Sequence, residues 1–157
     1  MNIRTWVVAA VLGVAVSASA QSARQYVDTS AYLTSEADIN AWYQLTSSLK
    51  QNFDDVCGDT FCEGDYSNIT PLRFQCSVQL RSGRIGACSW SFAASNEEID
   101  PASGQLSVDA PTWQCSVPLA PQVTIDDLLV ALAGNEPLHA TLPGGAGSIY
   151  DALGDCL

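Results

Sequence analysis

The sequence predicts an α+β domain in which an N-terminal amphipathic helix packs on a small antiparallel sheet of three or four strands, with short C-terminal helices. Three observations support this prediction. Apolar residues recur at helical spacing after residue 34, strict apolar–polar alternation follows after residue 70, and six cysteines lie on a chain that begins with an export signal. We therefore expect one disulfide-stabilised domain over residues 21–157.

The first twenty residues have the layout of a secretory signal peptide. Arg4 supplies a positive charge, residues 6–16 form an apolar run, and Ala18-Ser19-Ala20 provides the small-residue cleavage pattern. The run is shorter than the roughly 20 apolar residues that a membrane-spanning helix needs, although an uncleaved anchor is the alternative. We expect cleavage before Gln21, no membrane insertion afterwards, and a periplasmic or extracellular location.

The charge balance narrows the class of partner. Six basic residues stand against 17 acidic ones, giving a net charge of −11, and removal of Arg4 makes the mature chain more acidic still. Nucleic acids and anionic membrane surfaces attract lysine and arginine, so neither is an expected partner. A basic protein or a cation fits this charge.

The helical elements follow from spacing and capping residues. A loosely held arm over 21–33 precedes a helix over about 35–55, capped by Thr34 or Ser35. Thr124 and Gly134 delimit a second, shorter helix, and Ser148 three residues before Asp151 starts a last helical turn. The apolar face of the first helix consists of Ile39, Trp42, Leu49, Phe53 and Val56.

The alternation predicts a hairpin of strands 71–80 and 84–93, turning at Gly83 in the left-handed conformation. Its register places Phe74 opposite Trp90, Cys76 opposite Cys88, and Leu72 opposite Phe92. A polar loop over 94–105 should follow, and then a third strand over about 105–117. Pro111 indicates an edge or a bulge within this strand. The residues of the strand that are available for the core are Leu106, Val108, Trp113, Cys115 and Val117.

The six cysteines of an exported chain predict three disulfides. The sequence does not decide between the fifteen possible pairings. The favoured scheme closes a local bridge, links the two facing cysteines of the hairpin, and ties the C-terminus to the third strand; the competing scheme joins Cys88 to Cys115. The favoured pairs are Cys57–Cys62, Cys76–Cys88 and Cys115–Cys156.

The segment CGDTFCEGDYSN, residues 57–68, is the first candidate for chemistry. The carboxylates between residues 54 and 65 suit calcium, which binds six to eight oxygen atoms on a bent backbone. The spacing does not match an EF-hand loop, and a solvated, disulfide-closed turn is the alternative. The candidate metal ligands are Asp55, Asp59, Glu63 and Asp65.

The same loop is also a candidate recognition site. A Cys57–Cys62 bridge would present Asp59, Thr60 and Phe61 on a rigid tip, which lowers the entropy lost on binding. A phenylalanine between carboxylates suits a basic, partly apolar partner. The candidate binding residues are Asp59, Thr60, Phe61, Glu63, Asp65 and His139.

Two functional hypotheses follow, from different classes. The first is a small exported binding protein without catalytic activity. The second is a calcium- or metal-dependent hydrolase that combines the acidic loop over residues 54–65 with His139, the sole histidine. The hydrolase requires His139 close to the loop in a concave site, whereas the binding protein requires the loop to protrude. A structural envelope component is a third possibility.

Overall fold

The computed structural model describes residues 25–145 and 147–157, so the signal peptide predicted over residues 1–20 lies outside the described residues. Six strands and four helices follow one another along this part of the chain. They are β1 (Tyr26–Asp28), α1 (Thr29–Tyr32), α2 (Glu36–Cys57), β2 (Thr70–Gln79), β3 (Ile85–Ala93), β4 (Asn96–Ile99), β5 (Leu106–Asp109), β6 (Thr112–Val117), α3 (Ile125–Ala131) and α4 (Ile149–Gly154).

The principal sheet has four antiparallel strands in the order β1-β2-β3-β6. Strands β4 and β5 form a separate two-stranded hairpin. The predicted α+β class, with a small antiparallel sheet and short C-terminal helices, is confirmed. Within the described part of the chain, no helix is long and apolar enough to cross a membrane.

Helix α2 buries one face against the sheet. Ser35 caps it by accepting a hydrogen bond from the Asp38 amide at 3.1 Å, and Glu36 and Asp38 lie in the first turn, where negative charge is favourable. Its buried apolar side chains follow helical spacing. They are Trp42, Leu45, Leu49 and Phe53.

The β2–β3 hairpin has the predicted register at its centre. Cys76 lies opposite Cys88, Phe74 opposite Trp90, and Gly83 adopts a φ of 68° in the turn. The prediction for Leu72 was wrong. A register shift between Pro71 and Arg73 pairs Pro71 with Phe92, and Leu72 is 59% exposed. A β-bulge explains this result, because one extra residue reverses the direction in which the next side chain points.

The predicted loose arm was also wrong over the residues described. β1 pairs with β2 and extends the sheet. The Thr29 side chain is fully buried, and its hydroxyl donates to the Cys76 carbonyl at 3.1 Å. Asp28 caps α1 and accepts a charged hydrogen bond from Arg73 at 3.1 Å. These polar contacts fix a segment that lacks an apolar repeat.

The predicted third strand is divided into two strands with different partners. β6 continues the principal sheet. β5 instead pairs with β4, and β4 lies within the segment for which we predicted a polar loop. Pro111 lies at the division; it lacks an amide donor, and its carbonyl accepts from the Ala94 amide at 3.2 Å. The expectation that Leu106 and Val108 join the core was therefore wrong: they are 67% and 64% exposed.

The two C-terminal helices begin at their predicted caps, but α3 ends at Ala131 with Leu132 as its C-cap, before the predicted stop at Gly134. Thr124 with Asp127 and Ser148 with Asp151 each form a capping box, in which side chain and backbone bond reciprocally. The structure also contains the three favoured disulfides, and such bridges are typical of exported proteins. They are Cys57–Cys62, Cys76–Cys88 and Cys115–Cys156.

Candidate interaction surface

The disulfide-closed loop after α2 is compact. The Cα atoms of Cys57 and Cys62 lie 5.0 Å apart, and the Cys62 amide donates to the Cys57 carbonyl at 2.7 Å. The Thr60 hydroxyl donates to the Val56 carbonyl at 2.7 Å. The side chain of this candidate binding residue is therefore hydrogen-bonded to the C-terminal end of α2. The three carboxylates of the loop, Asp59, Glu63 and Asp65, are exposed.

Phe61 does not form the protruding tip that we expected. Its ring stacks on buried Phe53, with centroids 5.7 Å apart, and also contacts the Tyr150 ring at 5.4 Å. The phenylalanine is half-buried because an apolar ring beside the core is stabilised by joining it. The outward part of the loop is therefore acidic and polar, without an aromatic anchor.

Among the described residues, His139 is connected to the acidic loop through aromatic rings. Its imidazole lies 4.8 Å from the Tyr150 ring centroid, and Tyr150 in turn contacts Phe61. Ser148, the nearby hydroxyl that a Ser-His-acid arrangement would use, instead caps α4 by bonding Asp151. The described contacts thus bring His139 beside the loop without placing it among carboxylates of the loop.

The predicted metal ligands do not converge. Asp55 is an exposed residue in the last turns of α2, whereas Asp59, Glu63 and Asp65 follow in the loop. Among residues 25–145 and 147–157, no group of three or more histidine, cysteine, aspartate or glutamate side chains is arranged to hold a metal ion. The described carboxylates therefore supply no geometric argument for calcium.

The acidic loop is joined to the base of the β4–β5 hairpin. The Tyr66 hydroxyl bonds the Asp109 carboxylate, and the Tyr66 ring packs edge-on against Trp113 with centroids 5.5 Å apart. The Asn68 side chain donates to the Ser95 hydroxyl at 3.1 Å and accepts from the Ser95 amide at 3.0 Å. Three hydrogen bonds, made by two residues of the loop, therefore fix its position beside the hairpin.

The electrostatics at this junction are negative. The hydrogen bond to Asp109 is the largest cause that raises the pKa of Tyr66, followed by desolvation and the charges of Asp109 and Asp65. The tyrosine therefore stays protonated at neutral pH and continues to donate to Asp109. The Tyr66 hydroxyl thus satisfies the Asp109 carboxylate at the base of the hairpin, and the charge of Asp65 also acts on this tyrosine.

The β4–β5 hairpin exposes an apolar face. Ile99 lies opposite Leu106, and Glu97 lies opposite Val108, which places these four side chains on one face. Ile99 is 68% exposed, and Leu106 and Val108 are almost as accessible. A two-stranded hairpin with an uncovered apolar face is at best marginally stable by itself.

The tip of the hairpin is ordered by its own hydrogen bonds. The Asp100 carboxylate accepts from the Ala102 amide at 2.7 Å and the Ser103 amide at 2.9 Å, and these bonds hold the pKa of Asp100 below its ordinary value. Gly104 adopts a φ of 69°, which closes the turn. The exposed face is therefore presented on a preorganised turn.

We name the loop 58–68 and the hairpin 96–109 together the acidic surface. It carries seven carboxylates and no lysine or arginine, and neither lysine nor arginine occurs anywhere in residues 85–157. The apolar residues of the surface are thus bordered by charge of a single sign. Its carboxylates are Asp59, Glu63, Asp65, Glu97, Glu98, Asp100 and Asp109.

The hairpin was missed by the sequence reasoning, although a signal for it exists. Residues 96–99 and 106–109 are short segments that each place an apolar residue beside acidic ones, and the segment between them contains Pro101 and Gly104. Short runs bounded by such turn residues are typical of hairpins. Leu106 and Val108 were instead assigned to the core because alternation alone does not tell which face is covered.

A pH-dependence follows from the capping box beside His139. The Ser148 hydroxyl and amide donate to Asp151 at 2.8 and 2.9 Å and lower its pKa, and the charge of His139 adds to this effect. Asp151 therefore stabilises the fold above about pH 4, and this contribution is lost as the pH falls through the lowered pKa.

We accordingly expect Asp151→Ala to reduce the free energy of unfolding at pH 6, with the difference from the wild type shrinking below about pH 4. Urea unfolding between pH 2 and pH 6 would measure it. Ser148→Ala removes the two bonds of the hydroxyl and keeps the bond from the backbone amide to Asp151, so it should show the same trend with a smaller change. A difference that is unchanged at pH 2 would contradict this assignment.

Comparisons with known protein families, with curated proteins and with solved structures find no match to this chain.

Proposed function

We propose that this protein is a small exported, disulfide-stabilised binding protein whose acidic surface docks a basic, partly apolar protein partner. The observation that carries the proposal is the exposed apolar face of the β4–β5 hairpin, formed by Ile99, Leu106 and Val108. Exposed apolar side chains grouped on one element and rimmed by charge are typical of interaction sites.

Burial of the apolar face of the β4–β5 hairpin by a partner is energetically favourable. Full burial of a Val, Leu or Ile side chain stabilises by about 1.5–3 kcal/mol, so three such residues offer several kcal/mol to a complex. Association has its own entropic cost, which an ordered hairpin reduces. The disulfide-closed loop and the bonds of Tyr66 and Asn68 supply that preorganisation.

The negative charge of the acidic surface determines which kind of partner it attracts. Four carboxylates of the hairpin and three of the loop would repel an acidic protein and attract a basic one, chiefly by increasing the association rate. Because these groups are exposed, the attraction should weaken as salt increases. The partner we propose therefore combines lysine or arginine with apolar side chains.

The test uses the mature oxidised chain and three labelled peptides, in which lysine alternates with leucine, lysine with serine, or glutamate with leucine. Fluorescence anisotropy should show the tightest binding for the lysine–leucine peptide, with affinity decreasing as salt rises. The variant Ile99→Ser/Leu106→Ser/Val108→Ser should bind this peptide about tenfold more weakly, equivalent to about 1.4 kcal/mol.

Val130→Ser provides the matched control, because Val130 is 78% exposed on α3, outside the acidic surface. It should retain the wild-type affinity. Equal binding of the glutamate–leucine peptide, or an equal loss in the Val130 variant, would contradict the proposal.

A further inference from the structure

We propose that a second site, the cleft between α2 and the start of β2, binds a small amphipathic anion whose apolar body lies against aromatic residues and whose anionic head meets Lys50 and Arg73. The cleft has a volume of about 500 Å³. This is within the range of pockets that hold small organic ligands. It is separate from the acidic surface, and its test does not depend on the proposed function.

Half of the residues that line the cleft are aromatic or apolar, and the other half are polar or charged. Trp42, Phe74 and Trp90 form its buried part, and the Phe74 ring packs against both indoles, with centroids 5.7 and 6.0 Å away. Tyr43 and Leu72 are 63% and 59% exposed at the same cleft. The apolar surface therefore continues from the core to the solvent-accessible wall.

The bulge in β2 contributes to this site. The register shift between Pro71 and Arg73 places Leu72 among the residues that line the cleft, outside the core. Bulges commonly occur where a side chain is redirected for function. A leucine left 59% exposed beside two tryptophans supplies an apolar contact that the fold itself does not use.

A smaller hollow of about 170 Å³ adjoins the cleft and extends its apolar part. The two cavities share Ser30, Trp42 and Tyr43, and the hollow adds Leu33 and Ile39. Ile39 and Lys50 lie eleven positions apart on α2, which corresponds to about 16 Å along a helix. An elongated ligand could thus place its tail near Ile39 and its head near Lys50.

The charges of the cleft point to an anion. The described part of the chain contains four lysine and arginine residues, and two of them, Lys50 and Arg73, line this cleft of a strongly acidic protein. Arg73 donates one of its five N–H groups to Asp28 at 3.1 Å, and Asp28 also accepts from the Ser30 amide at 2.8 Å. The one carboxylate of the cleft is thereby paired, while Lys50 makes no ion pair with any residue in 25–145 or 147–157.

The experiment titrates the mature oxidised chain with decanoate, decanol and decyltrimethylammonium, which share one tail and differ in head charge. Tryptophan emission reports binding, because Trp42 and Trp90 line the cleft. We expect a saturable change in emission with decanoate, weaker binding of decanol, and no binding of decyltrimethylammonium. Lys50→Gln should weaken the binding of decanoate about fivefold, as expected for the loss of an exposed ion pair, and should leave the affinity for decanol unchanged.

Two further variants separate the tail from the head. Leu72→Ser should weaken the binding of decanoate and of decanol equally, since it removes only an apolar contact. Arg81→Gln removes a positive charge outside the cleft and should change neither affinity. The proposal is overturned if decanoate gives no saturable change, if the cation binds as tightly, or if Arg81→Gln acts like Lys50→Gln. Equal decanol and decanoate binding would also overturn it, and would indicate an apolar segment as the occupant.

Discussion

Replacing Cys115 and Cys156 together by alanine is expected to lower the free energy of unfolding by about 4 kcal/mol, according to the loop-entropy relation. The two cysteines are 41 residues apart in sequence, so their bridge restricts the unfolded chain more than either of the others. It also fastens the segment after α4 to the centre of β6. Small domains have only about 5–15 kcal/mol of stability, so this loss is a large fraction.

The other two bridges provide internal controls. The separations of 12 residues for Cys76–Cys88 and 5 for Cys57–Cys62 predict smaller losses, about 3 and 2 kcal/mol, for the corresponding double alanine variants. Guanidinium unfolding of the three variants would give the order directly. A larger loss for the Cys57–Cys62 variant than for the Cys115–Cys156 variant would contradict the account.

Truncation of Phe53 to alanine is expected to cost about 3–5 kcal/mol, as for other fully buried aromatic residues. Phe53 is fully buried, and its ring lies 4.9 Å from the Phe92 ring centroid and 5.9 Å from that of Trp90. It also supports Phe61, the residue that anchors the acidic loop to the core. Removal therefore leaves a cavity where α2, the sheet and the loop meet.

Thermal or denaturant unfolding measures this loss, and two variants calibrate it. Phe53→Leu keeps most of the volume and should cost less than Phe53→Ala. Tyr43→Ala truncates an exposed aromatic residue of the same helix, and we expect a change within about 0.5 kcal/mol. A loss of similar size at Tyr43 and Phe53 would show that the core is organised differently.

The centre of the fold was predictable from sequence because two periods are strong there. Helical spacing defined α2, and the period-two alternation fixed the register that places Cys76 opposite Cys88. Once that register is fixed, β6 lies on the other side of β3, with Cys115 opposite Trp90 and Val117 opposite Cys88. The competing Cys88–Cys115 bridge therefore does not form, and Cys115 pairs with Cys156.

The edges of the fold were less predictable, because single contacts rather than periods decide them. β1 is held by pairing to β2 and by the buried Thr29 hydroxyl, neither of which leaves a pattern in sequence. The bulge at Leu72 interrupts an alternation that is otherwise regular. A sequence period describes which residues share a face, but a one-residue shift changes which face is covered.

The candidate site shows the same division. The acidic, disulfide-closed loop was visible in sequence, and the structure places its carboxylates on the surface as expected of a solvated turn. Phe61 was predicted outward because no sequence feature reveals the neighbouring Phe53 and Tyr150 rings. The hairpin residues Ile99, Leu106 and Val108 look like core residues in sequence, and only the tertiary fold shows them uncovered.

The most direct test of the central claim is photocrosslinking from the hairpin itself. A benzophenone side chain is introduced at position 106 in one variant and at position 130 in another, both of which replace exposed apolar residues. Each protein is irradiated with the labelled lysine–leucine peptide. We expect an adduct from position 106 whose yield decreases as salt rises, and little adduct from position 130. Equal adducts from both positions, or an adduct from position 130 alone, would contradict docking on the acidic surface.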